Sequence, residues 1–197
     1  NYNKMNKSII AFVLVAFTAA ACQSKDTESN SQVLDSAEVN IENKDVEPES
    51  ATPVSSSIDN IITEYLNLKN ALAGDNSTEA SKFGKNIVSE ISKLDVSKFT
   101  IEQKEVYDEV MDDAKEQSEH IGDNSDNLSH QREHFALLSR DLDDLIAVFE
   151  TKKQLYQVFC PMYDDKKGAI WLSEFKEIKN PYFGSQMLTC GSIQKEL

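Results

Sequence analysis

The chain is short of most features that would announce a chemistry. Its 197 residues hold three cysteines, three histidines, one tryptophan and 20 Lys+Arg against 34 Asp+Glu, for a formal charge of −14. Nucleic-acid binding needs clustered Lys and Arg to neutralise phosphates, and no basic stripe is present, so that class is excluded. There is no G-x-S-x-G, no H-E-x-x-H, no P-loop and no glycine-rich phosphate cradle. C-x-x-C is absent as well, which argues against thioredoxin-like chemistry. No apolar run reaches the ~20 residues of a bilayer helix. The acidic balance favours solubility and says little more about partners. A length below about 200 residues argues for one folded domain.

The N-terminal region reads as a leader. Met5 is taken as the start, with Asn1 to Lys4 as translated upstream sequence. Lys7 supplies a positive n-region, Ile9 to Phe17 a short apolar core, and Thr18-Ala19-Ala20-Ala21 small residues directly before Cys22. The pattern is that of a secretory signal over 1–21. Small residues ending in cysteine resemble the lipobox of bacterial lipoproteins. The resemblance implies cleavage before Cys22 and a lipid anchor on it, since several acyl chains hold a membrane where one is marginal. Gln23 rather than Asp follows, which by analogy points to the outer membrane, facing the periplasm. Residues 22–57 then form an acidic tether rich in Ser, Asn, Glu and Asp, too polar to offset backbone ordering. Its start, Ser24-Lys25-Asp26-Thr27-Glu28, loosely resembles surface-export signals, and reads more simply as a solvated tail.

The folded domain is expected over 58–197. Ile58, Ile61, Ile62, Tyr65, Leu68 and Leu72 share one helical face, with Ser57 as N-cap and Gly74 as stop. A second helix follows Asp75-Asn76-Ser77, with Ala80, Phe83, Ile87, Val88, Ile91 and Leu94 inward. The third begins at a Thr100–Gln103 capping box. It buries Ile101, Val106, Val110, Met111 and Ala114 and stops near Gly122. The fourth, about 126–152, carries Leu128, Gln131, Phe135, Leu138, Leu142, Leu145 and Phe149 at alternating spacings of three and four. These patterns predict a mainly α fold, an antiparallel four-helix bundle. A small C-terminal β-hairpin follows, from 155–159, a turn at 164–168, and 169–172.

Four sulfurs sit in two clusters near the C-terminus, Cys160 with Met162 and Met187 with Cys190. Two readings stand side by side. In one, the four converge on a soft ion such as Cu(I), because thiolate and thioether match a polarizable cation, with His134 as an added imidazole. In the other, Cys160 and Cys190 form a disulfide, as export permits, and the methionines fill core space. His130 and His134 stand four apart on one helix face, a spacing that suits metal and also an ordinary solvated face. His120 reads as surface. The acidic run 123–127 fails as a calcium loop, having Leu128 where glycine and Phe135 where glutamate would be needed. Cys160 with His134 makes a nucleophile and base only on paper, since nothing supplies an oxyanion hole.

Phe159-Cys160-Pro161-Met162, Gly168-Ala169-Ile170-Trp171-Leu172-Ser173, Asn180-Pro181-Tyr182-Phe183-Gly184 and Met187-Leu188-Thr189-Cys190-Gly191 resemble the family catalogued as domain of unknown function 3347. Tyr65 to Leu72 and Gln131-Arg132-Glu133-His134-Phe135 resemble its helical part. Ile170 departs from it, standing where an aromatic is usual. The resemblance implies an exported, non-enzymatic protein of heavy-metal handling, because such domains also occur on periplasmic adaptor subunits of efflux pumps. It implies handling of copper or a related metal, with such an adaptor as a candidate partner and Cys160, Met162, Met187 and Cys190 as candidate ligands.

Overall fold

Short polar side chains take up the free N–H groups where three of the four long helices begin. The computed structural model describes residues 57–197. The expected signal peptide, the lipid site at Cys22 and the tether up to residue 56 lie outside the described residues. The helices are α1 Asp59–Ala73, α2 Ser77–Ile91, α3 Ile101–Asp123 and α4 Leu128–Val148. Asn76, Thr100 and Asn127 accept N–H bonds at the starts of α2, α3 and α4, and Thr100 and Gln103 form the reciprocal capping box. Ser57 Oγ accepts from the Asp59 N–H at 3.1 Å just ahead of α1. Gly74 closes α1, yet the left-handed residue is its neighbour Asp75, at φ 56°.

The apolar faces meet as their periodicity predicts. Ile58, Ile61, Ile62, Tyr65, Leu68 and Leu72 are buried, as are Phe135, Leu138, Leu142, Leu145 and Phe149. The seam polar residue Gln131 is buried too, and its Nε2 donates to the carbonyls of Ser77 (2.9 Å) and Ile121 (3.1 Å). It thereby ties the start of α4 to α2 and α3. The backbones of α2 and α3 approach so closely at Gly84 that an added Cβ would lie 2.8 Å from the Ser118 carbonyl oxygen.

Two expectations need correction. Ile101 is not buried; it is 82% exposed. At about 100° per residue it stands half a turn from Val110, so the face that buries Val110 must turn Ile101 outward. The fourth helix ends at Val148, four residues short of the expected end, where Phe149 takes an extended conformation.

The C-terminal part is a sheet rather than a lone hairpin. Strands β1 Tyr156–Cys160 and β2 Ala169–Ser173 pair antiparallel, with Tyr156 opposite Ser173 and Cys160 opposite Ala169. A third strand, β3 Ser192–Glu196, pairs antiparallel with the other side of β1, giving the order β2-β1-β3. Consecutive helices pack on one another, whereas α1 and α4 touch only lightly. β2 fills the space between them and packs mainly on α4. Tyr65 joins all three: its ring stacks on Phe135, its hydroxyl donates to Ser139 Oγ at 2.7 Å, and its oxygen accepts from the Leu172 N–H at 3.1 Å. Beside it the buried Lys69 ammonium donates to Glu174, just past β2, at 2.6 Å.

Candidate functional site

Cys160 ends β1, and the alternation of that strand turns Tyr156, Val158 and Cys160 inward. Cys190 lies thirty residues further on, two positions before β3. Between them the chain doubles back, and the two Sγ atoms stand 3.8 Å apart. Both cysteines are free, Cys160 fully buried and Cys190 half-buried. Burial, then the neighbouring Cys160 thiol, pushes the Cys190 thiol above its ordinary pKa.

Asn180 makes this return possible. Its side chain is buried, and its Nδ2 donates to the Cys190 carbonyl at 2.6 Å. Its Oδ1 accepts from the N–H groups of Tyr182 (2.8 Å) and Phe183 (3.3 Å). Its backbone N–H reaches the Leu188 carbonyl at 2.8 Å. One amide thus pins both ends of the loop that carries Cys190. The Tyr182 hydroxyl donates to the Ile170 carbonyl, anchoring the loop to β2.

A second anchor joins the loop to the helices. Arg132 on α4 donates to the Pro181 carbonyl (2.8 Å), the Leu72 carbonyl (2.9 Å) and Asp75 Oδ1 (2.6 Å). Asp75 Oδ2 accepts from the Ser185 N–H at 3.0 Å. Hydrogen bonding from Ser185, and then from Arg132, holds the Asp75 carboxyl down at about 2. Gly184 sits against this knot at φ 53°, and an added Cβ would fall 2.0 Å from Asp75 Oδ1. Only glycine fits there.

The remaining sulfurs differ in setting. Met162 and Met187 are exposed at 43% and 39%. Met162 lines an open cleft of about 840 Å³ beside α4, with Arg132, Arg140, Tyr163 and Tyr182. Met187 opens the turn that ends at Cys190, whose N–H donates to the Met187 carbonyl at 3.0 Å. His134 does not share a three-ligand cluster with the two thiols. It belongs to a separate group with His130, one turn earlier on α4, and His120 from α3. One ligand nitrogen from each of these three lies within 4.8 Å of the others. The rings of His120 and His134 stack with centroids 4.3 Å apart, and His130 stands edge-on to His134 at 4.4 Å. His134 Nδ1 lies 2.6 Å from Gln117 Oε1. Burial, then the two other imidazoles, lowers the His134 pKa. His120 carries no sequence signal for this role, because its partners come from the next helix and their register is a tertiary fact.

Residues 61–154 match the model of a family described as "Protein of unknown function (DUF3347)". The match runs from the first turn of α1 through α4, includes all three histidines, and ends before β1 and the sulfur clusters. No curated protein and no solved structure matches the chain.

Proposed function

We propose that this chain, which over residues 61–154 belongs to the DUF3347 family, binds a soft metal ion such as Cu(I) outside the cytoplasm. It would be held at the outer membrane by lipid on Cys22, and would buffer the ion or hand it to a heavy-metal efflux adaptor. The role is binding, not catalysis. One observation carries this reading, the 3.8 Å approach of Cys160 Sγ to Cys190 Sγ. With metal–sulfur bonds near 2.3 Å, a bridging ion would see the two sulfurs at an angle of about 110°. That angle leaves room for further donors, and Met162 and Met187, both accessible from solvent, are the thioethers closest in sequence to the pair. Soft sulfur donors favour Cu(I) over harder ions.

Binding must displace thiol protons, and the raised Cys190 pKa makes the affinity fall as pH falls. The test is titration of Cu(I) into reduced protein against a chromogenic Cu(I) chelator. One ion per chain is expected, with affinity reduced at least a hundredfold in Cys160→Ser/Cys190→Ser. Affinity unchanged by Met162→Ala with Met187→Ala removes the thioethers from the ligand set. Equal affinity in the cysteine variant and the parent refutes the site.

The same sulfur–sulfur separation favours a second reading, an interaction module stapled by a Cys160–Cys190 disulfide. Closing a loop of thirty residues would contribute about 3–4 kcal/mol on the chain-entropy model. Mass spectrometry of exported protein isolated without reductant separates the two. A quantitative disulfide with no copper retained supports the module.

A further inference from the structure

The chain has three histidines in 197 residues, and the fold brings all three to one point. His130 and His134 are one turn apart on α4, and His120 reaches them from the neighbouring α3, close to the 124–127 turn that joins the two helices. A merely solvated helix face gives no reason for imidazoles from different helices to meet. It gives still less reason for them to stack, since three such rings repel one another once protonated. Gln117 Oε1 accepts the proton of His134 Nδ1 at 2.6 Å, which leaves the lone pair on Nε2. Orientation of a histidine through its other nitrogen is the usual second layer of a metal site. Two carboxylates complete the surroundings: Glu116 lies 3.8 Å from His120 Nε2, and Glu133 lies 3.8 Å from His130 Nδ1. They add negative charge around a cation and offer a fourth ligand.

We propose that His120, His130 and His134 bind a borderline divalent transition-metal ion, of the class of Zn²⁺, at the end of the α3–α4 pair where the 124–127 turn joins the helices. Imidazole nitrogen suits such ions, whereas the thiol pair suits a soft monovalent one. Bonds of about 2.0–2.1 Å place tetrahedral nitrogens about 3.3 Å apart, so the nitrogens, now within 4.8 Å, need close only by side-chain rotation. His120 is exposed and His130 half-buried, so both rings are free to make that rotation. The fourth position stays open to water or to Glu133 or Glu116. This site is independent of the thiol pair: it uses other residues, another ion class and another part of the fold.

The experiment is calorimetric titration of Zn²⁺ into the full chain carrying Cys160→Ser and Cys190→Ser, so that no thiolate competes. One ion per chain is expected, and His120→Ala alone should weaken binding at least tenfold, because it removes the one imidazole supplied by α3. His130→Ala should do the same. Zn²⁺ should also raise the melting temperature of this Cys160→Ser/Cys190→Ser protein and leave that of its triple alanine variant (His120, His130 and His134) unchanged. Circular dichroism of each variant without metal establishes that it is folded, and imidazole resonances that shift on Zn²⁺ addition to the parent report the ligands directly. Saturable binding that survives the triple variant overturns the proposal, as does Zn²⁺ addition that shifts no imidazole resonance of the parent. Loss of Cu(I) binding with Zn²⁺ binding retained in the cysteine variant keeps this site and the thiol site distinguishable.

Discussion

Replacing Asp75 by Asn asks whether charge, rather than shape, ties the C-terminal loop to the helices. Asn tolerates the left-handed conformation as well as Asp does, so φ 56° brings no penalty, and the amide oxygen still accepts a hydrogen bond. What disappears is the negative charge, and with it one of the two acceptors that face Arg132 at 2.6 Å and the Ser185 N–H at 3.0 Å, since the amide nitrogen can only donate. Those bonds hold the carboxyl at about 2, against 3.8 for a free aspartate. A shift of that size corresponds to about 2.4 kcal/mol. The Asp75 side chain is 34% exposed, and solvent screening reduces the expected contribution to about 1–1.5 kcal/mol. Because the folded pKa lies below the unfolded one, the stabilisation is complete above about pH 5 and lost as pH falls from about 4 to below 2. Urea unfolding of both proteins, followed by circular dichroism at pH 7 and pH 3, measures it. The variant should be less stable by about 1–1.5 kcal/mol at pH 7, and the gap should shrink to about half at pH 3. An equal gap at both pH values would show that the carboxylate acts through packing, and the electrostatic account would fail.

Asn180→Ala removes one amide and leaves the Tyr182 and Phe183 N–H groups and the Cys190 carbonyl without their partner. A loss of about 2–4 kcal/mol is expected in urea unfolding, with faster reaction of Cys190 toward a thiol reagent as its loop loosens. Unchanged thiol reactivity would mean that the loop is held by other contacts. Ile101→Ser should change stability by less than about 0.5 kcal/mol, because the side chain is 82% exposed. Val110→Ala on the opposite face of α3 should cost more, about 1 kcal/mol or above. Thermal melts of the two variants give the comparison.

Helical seams were readable because one periodicity serves each face, and the caps were readable because Asn76, Thr100 and Asn127 do local chemistry. At the first turn of α3 the pattern misleads: Ile101 is apolar, yet its angle sets it on the face opposite Val110. β3 left no trace: Ser192-Ile193-Gln194-Lys195-Glu196 is exposed throughout, so no alternation marks it, and it forms because β1 offers a free edge. The return of the chain that pairs Cys160 with Cys190 was legible in the turn-rich stretch between them. The Asp75–Arg132–Gly184 knot was not, since it joins three distant segments through backbone groups that look alike in any sequence. His130 and His134 were visible as a pair, whereas His120 entered only through the register of α3 against α4.

The slot that β2 occupies between α1 and α4 has a consequence for how the chain divides. Cut after Gln154, it would keep four intact helices, yet the flank where Tyr65, Lys69 and Phe135 now meet β2 and its neighbours would face water. Such a fragment is expected to self-associate rather than stand alone. The last forty-odd residues are therefore a structural wall of the domain as well as the carrier of Cys160 and Cys190. Changes around the two thiols are confined to the outward loop and β3, because Trp171 and Leu172 are committed to closing the flank.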